Sequence, residues 1–481
     1  MLSGIINNIK RFREQLYYFF HCRRDASMEL VDSLSSNTEA RSVVELSLNP
    51  VHRRNYCSIT RVLDELKQKD ATKSKEQDKK LTQLLSGNCL NKQERAYHLF
   101  VVDCTPNPRV FSPTLKDRSY VYSPNAVPGT KPVTIGHKFS IAGYLPKKTR
   151  EDAPWIIPLS CERVHSEEKG NLVGMEQLAA CIQSQELFVK NLCVAVSDCD
   201  YSNPLCLGEA KKNPNLIHIS RSRNNRNFYS IFEGSNEERK RGRPKKYGDI
   251  HQLHHEETWK APKESIEFTV KNKRGKVMIV RIDGWDSLIM RGKKGCPLSD
   301  YPFRLLRVRV LYKESGELLY NRPLWLVAAG ERRGELTLRE IFESYRQRFD
   351  IEHFFRFGKT RLLLDKSQTP DVAHEESWWK LALISYNQLY LARELAENMP
   401  NPWEKYLPEF KSSRTEKSPT QVQKNFGRII REIGTPAKPP KPHKKSLGRE
   451  KGQTQNKRKR YPVVIMSKKR KQGENAAKMK A

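Results

Sequence analysis

One stretch of the chain, residues 337–359 (TLREIFESYRQRFDIEHFFRFGK), constrains the fold more than any other. Thr337 and Glu340 have the spacing of a helix capping box, which marks where an α-helix begins. Apolar residues then recur every three or four positions, as on one buried helix face: Leu338, Ile341, Phe342, Tyr345 and Phe349. The stretch therefore predicts a single amphipathic helix.

Four polar residues lie along the edge of that apolar face. At the angular step of an α-helix, Tyr345, Arg348, Glu352 and Lys359 fall within about 60° of one another. A half-buried carboxylate between cations suits a divalent metal ion beside a phosphate backbone, because the acid binds the ion and the cations bind phosphate oxygens. An ordinary rim of ion pairs would explain any one of these residues alone.

Two apolar runs upstream each end in an acid. Residues 98–103 (HLFVVD) and 192–198 (LCVAVSD) predict buried strands, and residues 104–108 (CTPNP) should end the first of them. Asp103 and Asp198 would then emerge at the carboxyl ends of strands, where open α/β sheets place their sites. Aspartates also favour strand ends as turn residues, and Asp200 is the main rival for the second position.

The spelling Tyr-x-x-Arg-x-x-x-Glu-x-x-x-x-x-x-Lys resembles the YREK motif of prokaryotic insertion-sequence transposases of the family four type. The contexts Asp-x-Thr at Asp103 and Asp-x-x-Tyr at Asp198 are similar to those of the first two acids of that family. The resemblance covers roughly residues 95–400. It implies an RNase H-like catalytic core in which Asp103, Asp198 and Glu352 are the catalytic, metal-binding acids.

The same resemblance implies a function. Its expected cofactor is two Mg²⁺ ions, which Mn²⁺ can replace, and its expected partner is double-stranded DNA, bound by a homodimer on paired transposon ends. Tyr345, Arg348 and Lys359 would orient phosphates during cut-and-paste transposition. Two alternatives remain open: an RNase H-like nuclease without strand transfer, and a DNA-binding protein derived from a transposase that has lost catalysis.

Predicted elements suggest an α/β protein with an interrupted core. Residues 1–90 are expected to be helical and to bind DNA, in a helix-turn-helix-like layout that would use Arg53, Arg54 and Arg61. About 150 residues separate Asp198 from Glu352, which implies an insertion. The expected divisions are a first core part at 95–223, a β-rich insertion at 224–333, a second core part at 334–434 and a disordered basic tail at 435–481.

The predicted insertion carries two candidate DNA contacts. Arg241 and Arg243 lie in Arg-Gly-Arg-Pro, which resembles the core of an AT-hook that enters a narrow minor groove; a solvated basic loop is the alternative. Trp325 lies in an apolar strand candidate, residues 318–328. The family resemblance makes Trp325 a platform for a flipped base, whereas packing within a strand core is the plain alternative.

Composition agrees with a DNA partner. The 481 residues carry a formal charge of +33, so a polyanion is the natural partner. Ten cysteines lack metal-site spacing, which favours neither a zinc site nor a disulfide framework. Apolar runs are too short to span a membrane, and a cytoplasmic protein associated with the nucleoid is expected.

Overall fold

Most of the chain can be described from a computed structural model. The described residues are 2–67, 71–89, 95–123, 132–148, 153–233, 245–271, 275–397, 417–442, 448, 450–454 and 456–465. Arg241 and Arg243, the candidate minor-groove contacts, lie outside them. Within these ranges no helix is both long and apolar enough to cross a membrane.

The chain begins with a group of helices. They are α1 (Leu2–Phe19), α2 (Arg24–Ser35), α3 (Val43–Leu46), α4 (Tyr56–Val62) and α5 (Ala71–Cys89). A buried ion pair joins the first two, because Arg13 Nη2 donates to Asp32 Oδ2 over 2.9 Å. Arg13 also donates to Gln388, far along the chain, so these helices pack onto the rest of the molecule.

The strands of the described residues form one mixed sheet. They are β1 (His98–Pro108), β2 (Ser119–Tyr122), β3 (Val133–Tyr144), β4 (Ile157–Val164), β5 (Cys193–Ser197), β6 (Leu216–Ser222), β7 (Asn227–Ile231), β8 (Tyr247–Gln252), β9 (Glu264–Lys271), β10 (Val277–Ile289), β11 (Phe303–Tyr312) and β12 (Leu324–Ala329). Their order is β2-β3-β1-β5-β6-β12-β11-β10-β7-β8, with β4 beside β3 and β9 beside β10. β1, β5 and β6 run parallel, and the remaining pairs are antiparallel.

Helices cover the part of the sheet that contains β1. They are α6 (Gly170–Gln183), α7 (Glu186–Lys190), α8 (Pro204–Lys211), α9 (Leu338–Gln347), α10 (Asp350–Arg361), α11 (Val372–Ala392) and α12 (Pro419–Ile433). α11 is buried along nearly its whole length, and its Trp379 stacks flat on Phe139 of β3 with ring centroids 4.1 Å apart. The mixture of helices and strands confirms the predicted α/β class.

The first predicted strand is longer than expected. We predicted that residues 104–108 would end it, yet β1 continues to Pro108 and pairs with β3 throughout. Its parallel pairing with β5 stops at Val101. Pro106 and Pro108 are tolerated because this end of β1 has a neighbour on one side only, so a missing N–H on the other side breaks no ladder bond.

The strands predicted for residues 224–333 continue the same sheet. β12 pairs with β6 through main-chain hydrogen bonds, so the strands of residues 224–333 join the sheet that contains β1, β5 and β6. The predicted strand at residues 318–328 is shorter, since β12 starts at Leu324.

Two residues of the basic tail, which was expected to be disordered, form hydrogen bonds with the rest of the chain. Tyr461 N donates to Pro113 O and Val464 N donates to Arg118 O, over 2.8 and 2.7 Å. Val464 also forms a parallel bridge with Ser119 of β2. Both acceptors lie just before β2, at the edge of the sheet, where an edge strand leaves one row of its backbone groups open to pairing.

Candidate active site

Two predicted acids lie on neighbouring parallel strands. Val101 of β1 is paired with Val196 of β5. Asp103 and Asp198 each follow that pair by two residues at the same edge of the sheet, and repulsion from Asp198 contributes to raising the pKa of Asp103. The two carboxyl groups are therefore close enough to repel each other or to share a cation.

Asp103 lies in a confined position. Its side chain is 17 % exposed, and its Oδ1 accepts a hydrogen bond from Cys104 N over 2.7 Å. Burial, followed by repulsion from Asp198, raises the pKa of Asp103 to about 7, against a smaller lowering by Arg348. A carboxyl group held near neutrality in this way is typical of functional sites.

The structure distinguishes Asp198 from its rival Asp200. Burial raises the pKa of Asp198, whose Oδ1 accepts from Asp200 N over 2.9 Å. The Asp200 side chain is 62 % exposed and forms an ion pair with Arg223 over 2.5 Å. Asp198 therefore lies beside Asp103, whereas the Asp200 carboxylate is committed to a surface contact.

The central helix is broken where we predicted that it would continue. The capping box at Thr337 is present as predicted. However, α9 ends at Gln347 and α10 begins at Asp350, with a tighter turn between them in which Arg348 N donates to Tyr345 O and Ile351 N to Arg348 O, each over 3.1 Å. Phe349, predicted to be buried, is 50 % exposed.

Arg348 connects the helix to the first acid. Its Nη2 donates to Glu352 Oε1 over 2.8 Å and its Nη1 approaches Asp103 Oδ2 at 3.4 Å. Glu352 is half exposed, whereas Arg348 is 8 % exposed and lies against the rings of Tyr345 and Phe349. The two elements thus meet through one guanidinium group.

The last residue of the predicted helix motif lies apart from the acids. Lys359 Nζ donates to Pro106 O, on β1 beyond Asp103, over 3.0 Å. Burial lowers the pKa of Lys359. Tyr345 is buried, and this burial raises its pKa, so its phenol stays protonated beneath Arg348.

The donor chemistry of the acids suits a hard divalent cation. Asp103 and Asp198 are adjacent carboxylates whose mutual repulsion a cation would relieve, and Mg²⁺ needs only one or two carboxylates besides water and phosphate oxygens. Across the described ranges, no three or more His, Cys, Asp or Glu side chains stand together as a closed metal cage. The aspartate pair has the oxygen donors that Mg²⁺ takes, whereas the Glu352 carboxylate forms an ion pair with Arg348.

A comparison with known protein families decides the wider assignment. Residues 15–281, more than half of the chain, match the family described as DDE superfamily endonuclease. The chain belongs to the DDE superfamily endonucleases. No curated protein matches this DDE endonuclease. The match includes Asp103 and Asp198 and ends before Glu352.

Membership defines the activity in general terms. A DDE endonuclease hydrolyses phosphodiester bonds in DNA, and enzymes of this superfamily generally use divalent metal ions. Membership also implies an RNase H-like core, and the observed order β1, β3, β4, α6, β5 agrees with it.

The predicted DNA-contacting residues have different surroundings. Arg53 and Arg54 both pair with the buried carboxylate of Glu29, at 2.7 and 3.2 Å, and both donate to the carbonyl of Lys438. Arg61 is exposed at the end of α4. These contacts hold Arg53 and Arg54 between Glu29 and the C-terminal segment.

Trp325 lies in the interior. It is 1 % exposed and packs edge-on against Trp259, with ring centroids 5.2 Å apart, and against Trp285 at 5.9 Å. Of the two interpretations of Trp325, packing within a strand core is the one that the structure supports.

Sequence reasoning missed the cluster that anchors the far end of β1. Glu375 of α11 is fully buried and accepts hydrogen bonds from Asn107 and Arg109, each over 2.7 Å, and it also pairs with His137. Arg109 donates further to the carbonyls of Asp365 and Ser367. No local pattern could have indicated these contacts, because the partners lie more than 200 residues apart.

Proposed function

We propose that this DDE endonuclease is an insertion-sequence transposase of the YREK type that excises and joins DNA by a metal-dependent cut-and-paste reaction. The observation that supports it most is the contact of Arg348 with both Asp103 and Glu352, with Asp198 near enough to repel Asp103. In this proposal those three acids hold two Mg²⁺ ions. The ions, when bound, supply an activated water or 3′-hydroxyl and stabilise the leaving oxygen.

Within this proposal the remaining motif residues position the substrate. Arg348 can donate two parallel hydrogen bonds to a phosphate, the geometry in which a guanidinium recognises phosphate best. Tyr345 supports it from below, and Lys359 would bind a phosphate further along the backbone. None of these side chains breaks a bond; they hold the scissile phosphate in line, where correct placement lowers the barrier.

The proposed substrate is double-stranded DNA carrying the ends of the element, bound by a homodimer. The formal charge of +33 supports a polyanionic partner. We assign DNA contacts to the helical region 1–90, through Arg61 in particular, and to the basic residues around Arg241 and Arg243. Residues 224–333 form the proposed insertion between core parts 95–223 and 334–434.

A nuclease that cuts without joining is a second candidate. The family description names an endonuclease, and the matched residues end before the helix that carries Glu352. Both candidates need the same acids, so only the joining step separates them.

Cleavage of a labelled duplex with the element's own ends tests the proposal. Magnesium-dependent cutting is expected for the wild type, and Asp198→Asn or Glu352→Gln should reduce it at least about 100-fold because each removes a proposed metal ligand. Asp200→Asn is the matched control, two residues from Asp198, and should cut within a few-fold of the wild type.

A second substrate with free 3′-hydroxyl ends then measures joining to a target duplex. Joined product supports the transposase, whereas cutting without joining supports the nuclease. Cutting by Glu352→Gln at the wild-type rate would remove Glu352 from the site.

A further inference from the structure

Arg348 lies between two acidic side chains, whose negative charges it offsets. It is almost completely buried, and it lies between two carboxylates from different elements, Glu352 on α10 and Asp103 on β1. Its Nε has no hydrogen-bond partner within the described structure. The guanidinium contacts these two acids and lies against the rings of Phe349 and Tyr345, 4.8 and 5.9 Å away.

We propose that Arg348 is an internal counter-ion that competes with a divalent cation for Asp103 and Glu352 until DNA phosphate draws it away. This inference rests on the proposed function, since it takes these two acids as metal ligands. It adds a regulatory step that a positioning role alone does not contain: the protein without DNA binds metal weakly.

Charge balance supports the competition. The same guanidinium contacts both acids, with Nη1 3.4 Å from Asp103 Oδ2 and Nη2 2.8 Å from Glu352 Oε1, so it already neutralises the oxygens that a metal ion would need. A divalent cation at the same carboxylates would lie a few ångströms from the guanidinium, where the two positive groups repel each other. Both positive groups cannot therefore bind these oxygens well together.

The local backbone provides a way for Arg348 to leave. Arg348 is the first of the two residues between α9 and α10, where the helical hydrogen-bond pattern changes to a tighter turn. The neighbouring Glu352 is half exposed, which opens the guanidinium to one side of the site. A phosphate oxygen is an acceptor as good as the carboxylates that Arg348 would give up.

Mn²⁺ binding to the full-length protein without DNA tests the proposal. Free Mn²⁺ would be measured by electron paramagnetic resonance at pH 8, where Asp103 is mostly ionised. Arg348→Gln should bind Mn²⁺ about tenfold more tightly than the wild type, because the competing charge is gone. Arg348→Lys, which keeps the charge but cannot bridge two acids, should lie between them.

Arg346→Gln is the matched control. It lies two residues earlier, is exposed and packs on Phe342, so it should leave Mn²⁺ affinity unchanged. Circular dichroism checks that each variant is folded, and if Arg348→Gln is not, Arg348→Lys must bind more tightly than the wild type. If the folded Arg348 variants bind Mn²⁺ as tightly as the wild type, or more weakly, Arg348 does not act as a counter-ion.

Asp103→Asn separates this inference from the proposed function. If Asp103→Asn loses Mn²⁺ binding while the Arg348 variants bind Mn²⁺ no more tightly than the wild type, the result supports Asp103 as a metal ligand and contradicts the counter-ion role of Arg348. If Asp103→Asn binds Mn²⁺ as well as the wild type, the proposed metal ligands are wrong and the inference falls with them.

Discussion

Burial and the neighbouring Asp198 carboxylate make the ionised form of Asp103 unfavourable. Its pKa of about 7 in the folded protein compares with about 4 in an unfolded chain. Between these values the folded state binds more protons, so the free energy of unfolding falls as pH rises from 4 to 7. Without metal, the ionised carboxylate therefore destabilises the protein above neutrality.

Asp103→Asn should remove that cost. In EDTA, we expect this variant to be more stable than the wild type by about 1–3 kcal/mol at pH 8, and the gain to shrink towards zero at pH 4. Urea unfolding at both pH values measures it. Asp200→Asn, an exposed neighbour, should show no such pH-dependent gain, and an equal effect of Asp103→Asn at both pH values would contradict the prediction.

Single residues were predictable where their signal is local. Asp103 and Asp198 each end an apolar run, so their placement beside one another follows from parallel strand pairing. The roles of Arg53 and Arg54 could not be predicted, because their partner Glu29 belongs to another helix and the contact depends on packing. Trp325 has the same limitation, since an apolar strand does not reveal which face is covered.

At the scale of elements, α6 approaches β1 closely at a glycine. A Cβ at Gly174 would lie 2.7 Å from Tyr201 Oη and 2.8 Å from Val102 Cγ2. Val102 directly precedes Asp103, so α6 packs against the strand segment that carries the first acid. Contacts this short force either the helix or the strand to move.

Gly174→Ala should therefore destabilise the protein by about 1–3 kcal/mol, as overpacking in a core does. Gly427→Ala is the matched control, because α12 has open space at that position and alanine favours helices by up to about 1 kcal/mol. Thermal unfolding of both variants measures the difference. A Gly174→Ala protein as stable as Gly427→Ala would show that the approach of α6 to β1 is not tight.

Element boundaries show what local patterns cannot supply. The capping box predicted the start of α9 correctly because both of its hydrogen bonds lie within four residues. The break at Arg348 has no glycine or proline to mark it, and it coincides with contacts to Asp103, about 245 positions away. The length of β1 likewise depends on which strands flank Pro106. Those neighbours come from distant parts of the chain, so the local sequence does not identify them.

For the whole molecule, a single continuous sheet was not predictable. The gap between Asp198 and Glu352 indicated an insertion, but the pairing of β12 with β6 arises from contacts about 100 residues apart. The disorder of the basic tail was predicted from its charge alone. Net charge influences solubility and attraction to DNA, but it does not determine packing. Charge could not reveal that Tyr461 and Val464 would contact the β2 edge.

The tail permits a test in which docking and charge are separated. From Pro436 onward it holds 16 Lys and Arg against 2 Glu, and four of these cations, Lys457 to Arg460, directly precede the docked Tyr461. Replacing these four with Gln should keep the docking yet make log Kd for duplex DNA less steep against log salt by up to about 3–4, because fewer counterions are released. Fluorescence anisotropy between low and physiological salt measures the slope.

Val464→Pro is the control: it removes the N–H donated to Arg118 without changing charge, so it should leave the slope intact while loosening the tail. If the Gln variant keeps the wild-type slope, the docked segment holds its cations away from DNA, and the remaining basic residues of the chain account for DNA attraction.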